Sequence, residues 1–329
     1  MTLTHDLRPT DFDQIIEQQD VVRDLKNIIT RCKLTGDRLP DMLLAGPPGC
    51  GKTTLAICTA RAYFGEDNWR NRFEEMNASD NRKIDDVRTK IKPLSGFKGQ
   101  RVLLLDEAEM LTDESQNALR RIMENSVGTT FILTANRPWQ IIEPIQSRCV
   151  LFSLRQLTPE GVRKVIMNAI KVKGIKVDVA PEERRSFTEG FEALLKESGG
   201  DVRKALNILE KVLTDSNTIT IQSVMSNAPP NLIPQVIQKA ISGEYDKARE
   251  MLEDAIILSK YNVAEIIMQF DAAIKSEIND KELKARLLLE LARTEDRLRR
   301  GGNPLIQFGG FLGFVFISPH LQGVVNKNV

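Results

Sequence analysis

Eight consecutive residues, Gly46-Pro47-Pro48-Gly49-Cys50-Gly51-Lys52-Thr53, carry the densest chemistry in the chain. Their spacing is that of the P-loop, G-x-x-x-x-G-K-[ST]. Glycines let such a loop curl until its backbone N–H groups face the phosphates, and the N-terminus of the following helix adds positive potential there. The expected ligand is therefore a nucleoside triphosphate with Mg2+. Lys52 is expected to neutralise the β- and γ-phosphates and Thr53 to offer its hydroxyl oxygen to the metal, with Thr54 opening the helix behind them. A plain Gly-Pro turn ahead of a helix is the competing reading, and eight matched positions between a strand and a helix set it aside.

A phosphate cradle does not by itself hydrolyse anything, so the acids and amides nearby matter next. Asp106-Glu107-Ala108-Glu109 follows an apolar run, Arg101-Val102-Leu103-Leu104-Leu105. Asp106 is the candidate to hold Mg2+, directly or through water, and Glu107 the candidate to polarise an attacking water. Glu109 reads as a surface acid or a helix cap. Asn136 stands just past Thr130-Phe131-Ile132-Leu133-Thr134. An amide at such a strand tip can orient the water or contact the γ-phosphate, although a lone Asn there is otherwise a turn former.

These groups need elements to bring them together. Met42–Ala45, Arg101–Leu105 and Thr130–Thr134 are continuous apolar runs, as expected of strands buried on both faces of a parallel sheet. Ligands bind such sheets at the carboxyl ends of the strands, where every candidate above falls. Residues 1–155 thus predict an α/β nucleotide-binding domain with helices on both faces. From 156 to 222 the pattern turns helical, and Thr158 followed by Pro159 reads as a cap and first helical position. After Pro229-Pro230, Ile233, Val236, Ile237 and Ala240 recur at helical spacing, as do Leu283, Leu287, Leu291 and Leu298. Residues 223–329 accordingly predict an all-helical domain with no catalytic constellation.

The order of P-loop, Asp-Glu strand and polar strand tip resembles that of an AAA+ ATPase, and four further segments narrow the resemblance. They are Asn77-Ala78-Ser79-Asp80-Asn81-Arg82-Lys83-Ile84-Asp85, Gln116-Asn117-Ala118-Leu119-Arg120-Arg121, Ile141 to Cys149 ending in Ser147-Arg148-Cys149, and Gly199-Gly200-Asp201-Val202-Arg203. Over roughly residues 8 to 307 the chain resembles the small subunits of replication factor C, the sliding-clamp loader, most closely the archaeal kind. The resemblance implies that Arg148 is a finger reaching the ATP of a neighbouring subunit. It implies too that Arg203 is a sensor on the helical lid, touching the γ-phosphate within its own chain. Arg8, in Arg8-Pro9-Thr10-Asp11-Phe12, matches the family's N-terminal segment near the nucleotide base, and the last domain matches the collar that closes the ring. Implied partners are a large subunit, further small subunits, the sliding clamp and primer-template DNA. The implied alternatives are another AAA+ DNA enzyme, for branch migration or replication restart, and an ATP-locked scaffold with little turnover.

Composition is neutral on DNA: 46 basic residues face 45 acidic ones, a net charge of +1. A local run is basic, since Arg82, Lys83, Arg88, Lys90, Lys92, Lys98 and Arg101 are interrupted only by Asp85 and Asp86. The resemblance makes Arg82, Lys83, Arg88 and Lys92 candidates for the DNA backbone, where contacts give affinity but little sequence preference. It also makes Arg82 a switch that restrains Glu107 until DNA arrives. No apolar leader or membrane-length run is present, and Cys32, Cys50, Cys58 and Cys149 lack metal spacing. The expectation is an intracellular protein with free thiols, cytoplasmic in a prokaryote or nuclear in a eukaryote.

The chain also departs from the family. Leu7 replaces an aromatic before Arg8-Pro9, Lys83 replaces a common glycine, and Pro181-Glu182-Glu183-Arg184-Arg185 reads as a charged surface insertion. Phe308-Gly309-Gly310-Phe311-Leu312-Gly313-Phe314-Val315-Phe316 is glycine-rich and aromatic where the family completes a helix. As a clamp-binding peptide starting at Gln307 it fails, because Gly310 and Gly313 occupy the aliphatic and aromatic positions. Its composition fits burial, disorder and aggregation alike.

Overall fold

The apolar runs pair side by side. In the computed structural model, which describes residues 2–79, 87–91, 93, 99–173, 184–215, 219, 223–224, 233–257 and 263–325, the chain forms two compact units, Met1–Asn227 and Ala228–Val329. The first unit is built on a five-stranded sheet of β1 (Met42–Ala45), β2 (Phe73–Asn77), β3 (Arg101–Asp106), β4 (Thr129–Ala135) and β5 (Val150–Ser153). The strand order is β2-β3-β4-β1-β5 and every pairing is parallel.

Alternate side chains of the central strands enter two cores. Met42 and Leu44 of β1, Val102 and Leu104 of β3 and Ile132 of β4 pack with Leu25 and Ile29 of α2 (Gln19–Thr35) and Leu55 of α3 (Lys52–Phe64). A short α1 (Leu3–Asp6) precedes them. Leu43, Leu103, Leu105, Phe131 and Leu133 face the opposite way, onto Leu119, Ile122 and Met123 of α4 (Asp113–Asn125). All seven residues of β4 are buried. Helices on both faces explain why these strands read as continuous apolar runs rather than alternating ones.

After a turn of helix, α5 (Glu143–Gln146), and β5, the first unit continues into α6 (Pro159–Val172), α7 (Arg184–Ser198) and α8 (Val202–Asp215). The start of α6 is as the sequence predicts: Thr158 caps it, its hydroxyl accepting from Gly161 N at 3.1 Å. Glu17 and Gln18, both left-handed (φ 62° and 56°), clamp the approach to this helix. The Glu17 carboxylate accepts from Thr158 N and Oγ1, while the Gln18 amide exchanges hydrogen bonds with the backbone of Arg155. Ala228 to Val329 fold separately into α9 (Ile233–Ile241), α10 (Tyr245–Ile257), α11 (Val263–Glu277), α12 (Lys281–Arg299) and α13 (Pro304–Val325). Ile233, Val236, Ile237, Ala240, Leu283, Leu287 and Leu291 are all in its core, with Leu298 packed against it.

The glycine-rich tail is the clearest addition to the sequence reading. It is helical, and Phe308, Phe311, Leu312 and Val315 are buried in the core of the second unit. Phe270 of α11 meets Phe311 edge-on at 5.0 Å between centroids and stacks on Phe308 at 5.9 Å. Among the described residues, no helix is long and apolar enough to cross a membrane.

Candidate nucleotide site

The P-loop leaves the end of β1 tied to β4, because Gly46 N donates to Ala135 O at 3.0 Å. Two of its glycines are required by geometry. Gly51 has φ +100°, and Gly49 has φ +70° with a built Cβ that would lie only 1.9 Å from Asp201 Oδ1. Asp201 caps α8, its Oδ1 accepting from Lys204 N at 3.0 Å, so α8 starts against the loop.

Lys52 and Thr53 open α3 and are both buried. The Lys52 ammonium donates to Gly46 O, Pro47 O and Asn136 Oδ1, each at 2.8 Å. Burial pulls its pKa below the ordinary lysine value, while Cys50, Asp106 and Glu109 act in the opposite direction. Pro48 and Thr54 complete the loop and the first turn, and Cys50 is buried with its Sγ 4.0 Å from the same ammonium. Thr53 Oγ1 donates to both carboxylate oxygens of Asp106 at 3.1 Å, and Thr134 Oγ1 donates to Asp106 Oδ1. Hydroxyl and carboxylate oxygens converging on one point suit a hard divalent cation such as Mg2+, so Thr53 and Asp106 fit the metal role expected of them.

Glu107 turns the chain at the end of β3. It is left-handed (φ 56°, ψ 42°), and its N–H donates to Thr134 Oγ1 at 3.0 Å. Burial, together with the Asp106 and Glu109 carboxylates, raises its pKa, the direction that makes a carboxylate a better proton acceptor. Arg203, exposed on the first turn of α8, acts electrostatically on both Glu107 and Lys52. The structure therefore gathers Lys52, Thr53, Asp106, Glu107 and Asn136 into one cluster and brings the charge of Arg203 within range of it.

One expectation is corrected, and two residues stand outside the cluster. Glu109 is not a surface acid or helix cap: its Oε1 accepts from Asn136 N at 2.9 Å, and its Oε2 is buried. Sequence reasoning missed it, and Thr134 with it, because their partners lie on a different strand; the second acid in Asp-Glu-x-Glu was the available signal. Arg148 lies apart from the cluster, bound by Glu124 of α4 and donating to Pro144 O at 2.8 Å, and is 39% exposed. Arg8 has no hydrogen bond or ion pair to the loop among the described residues; its charge is felt at Glu75, which also feels Asp106. Of the basic run, Arg82, Lys83 and Lys92 lie outside the described residues, as does the side chain of Arg88.

Comparison with known proteins agrees with this geometry. Residues 42–156 match the family described as ATPase family associated with various cellular activities (AAA), and residues 228–313 match the replication factor C C-terminal domain. The replication factor C small subunit of Archaeoglobus fulgidus is 37% identical over 321 residues, covering 94% of this chain and 95% of that protein. That of Methanosarcina barkeri is 38% identical over 304 residues, covering 88% and 84%. Among solved structures, the Holliday junction branch migration motor RuvB of Thermotoga maritima aligns with a TM-score of 0.56 at 21% identity. It covers 76% of this chain and 87% of the RuvB chain, a likeness of fold. The nucleotide-binding sheet, the helical second unit and relatives matched almost end to end lead to one conclusion: the chain belongs to the replication factor C small-subunit family and is an AAA+ ATPase of the clamp-loader kind.

Proposed function

We propose that this subunit binds ATP with Mg2+ in its own P-loop, completes the site with an arginine from a neighbouring subunit, and hydrolyses ATP as a sliding clamp is loaded on primed DNA. The observation that carries the reading is the convergence of Lys52, Thr53, Asp106 and Asn136 from three elements onto one point. Residues 46–54 wrap the phosphates, and Lys52 exchanges loop carbonyls for phosphate oxygens. Thr53 and Asp106 hold the metal, which when bound neutralises charge on the phosphate oxygens. Glu107 takes the proton of the attacking water, Asn136 orients that water or the γ-phosphate, and Arg203 tells the lid that ATP is present.

Arg148 serves the adjacent site in trans, where a guanidinium that stays ionised and bridges two oxygens suits spreading charge. Its intrachain partners support this, since an exposed ion pair of this type is worth about 1 kcal/mol or less and is readily exchanged. Arg8 lies toward the base, and Arg82, Lys83, Arg88 and Lys92 track the DNA backbone. The division of labour follows 1–155 for the ATPase, 156–222 for the sensing lid and 223–329 for the collar. A large subunit and further small subunits complete the ring, which works where DNA is replicated, in the cytoplasm of a prokaryote or the nucleus of a eukaryote.

The test is steady-state ATPase of the assembled complex, with and without primed DNA and clamp. Strong stimulation only when both are present, lost in Arg148→Ala, is the expected result. Stimulation by DNA alone, indifferent to the clamp, would move the chain to another branch of AAA+ DNA enzymes.

A further inference from the structure

Beyond Asp106 the chain does something unusual for a strand ending in solvated acids. The left-handed Glu107 reverses its direction, a single 3-10 turn over Ala108–Met110 follows, and Met110 N closes it onto Glu107 O at 2.9 Å. Ala108 is fully buried and anchors the turn. Glu109 is thereby carried back to the tip of β4, where the ladder with β1 ends at Ala45 and Ala135. The next N–H, that of Asn136, would have no strand partner; Glu109 Oε1 accepts it at 2.9 Å. Asn136 in turn points its Oδ1 at the Lys52 ammonium, 2.8 Å away.

We infer that Glu109 is a positioning residue for the nucleotide site, fixing the Asn136 backbone so that its amide faces Lys52 and the γ-phosphate position. The choice of residue supports a role beyond capping one N–H. A neutral acceptor would serve for that, whereas the second oxygen of Glu109 is buried with no hydrogen-bond partner among the described residues. Burying an unpaired charged oxygen is costly. The charge instead acts on the site, on the Lys52 ammonium that holds Asn136 Oδ1 at 2.8 Å. A carboxylate hydrogen bond is also stronger and more directional than a neutral one, which suits an amide that must not swing. This role presupposes the ATPase site proposed above.

The test compares Glu109→Ala, Glu109→Gln, Asn136→Ala and the double variant Glu109→Ala/Asn136→Ala in the full chain. Affinity for a fluorescent ATP analogue is measured on the chain, and turnover on the assembled complex with DNA and clamp. Glu109→Ala is expected to lower turnover about tenfold to a hundredfold, the scale of one charge-assisted hydrogen bond, with affinity changed by less than about threefold. Glu109→Gln, which keeps an acceptor for the Asn136 N–H but makes a weaker, neutral hydrogen bond, is expected to recover part of that loss. The double variant is expected to be no worse than Asn136→Ala, because both act through one group. Additive losses, or a Glu109→Gln as impaired as Glu109→Ala, would overturn the positioning role while leaving the ATPase reading intact. Lys52→Ala serves as the reference: if it kept nucleotide affinity and turnover, the ATPase reading would fall and the inference with it.

Discussion

Gly49 meets the Asp201 carboxylate at a distance that leaves no room for a side chain. An alanine there would take on a left-handed backbone and a collision with the cap of α8. Gly49→Ala is expected to cost about 2 kcal/mol or more, lowering Tm by about 4 °C or more and weakening nucleotide binding; thermal melts with and without ATP measure both. Glu107→Gln separates binding from chemistry in a different way. It keeps the shape of the turn and removes the proton acceptor, so ATP affinity is expected to persist while turnover falls about 10²- to 10⁴-fold. Equal turnover in that variant would reassign the base. At this scale the P-loop was legible because its information is local: eight adjacent residues specify one turn and one ligand. Glu109 and Thr134 were not legible in the same way. Each acts on a residue some 27 positions away, a relation created by the pairing of β3 with β4.

At the scale of elements, hydrophobic spacing carried the three central strands β1, β3 and β4 and the helices α9 and α12, but not the largely exposed β2 and β5, and glycine content obscured α13. Phe308, Phe311, Leu312 and Val315 stand at i, i+3, i+4 and i+7, an ordinary helical stripe. The intervening glycines hid it, because glycine disfavours helix by about 1 kcal/mol per residue relative to alanine. The structure shows where they sit: a Cβ built at Gly309 would lie 3.9 Å from Arg249 and one at Gly313 would lie 4.0 Å from Tyr245, both of α10, and the Tyr245 hydroxyl donates to Gly309 O at 3.2 Å. Gly310 has nothing near a built Cβ. Two substitutions one position apart should therefore act in opposite directions. Phe311→Ala removes a fully buried ring and is expected to destabilise the helical unit by about 3–5 kcal/mol. Gly310→Ala is expected to stabilise it by about 0.5–1 kcal/mol. Chemical denaturation followed by circular dichroism would register both; a neutral Phe311→Ala would place the tail outside the core.

For the whole molecule, the decisive question is whether one chain holds a complete site. Lys52, Thr53, Asp106, Glu107 and Asn136 converge within the first unit, but Arg148 is engaged with Glu124 and Pro144 instead. Nothing in the local pattern Ser147-Arg148-Cys149 reveals that separation, since a motif records residue types and not which copy of the chain they face. If Arg148 completes a neighbour's site, two inactive variants should repair each other. A Lys52→Ala chain lacks its own phosphate grip yet still presents a finger, while an Arg148→Ala chain keeps its grip and lacks the finger. Complexes assembled from either variant alone are expected to be nearly inactive, the finger alone being worth on the order of 10³ in rate. In complexes assembled from a mixture, some interfaces join an intact P-loop to an intact Arg148. Turnover should then rise to a fraction set by the mixing ratio and the number of small subunits in the ring. Recovery that scales with that ratio would place the finger in trans. Mixed complexes as inactive as either parent would mean that Arg148 supports its own chain, through Glu124 and α4, and that the second contributor to the site must be sought elsewhere.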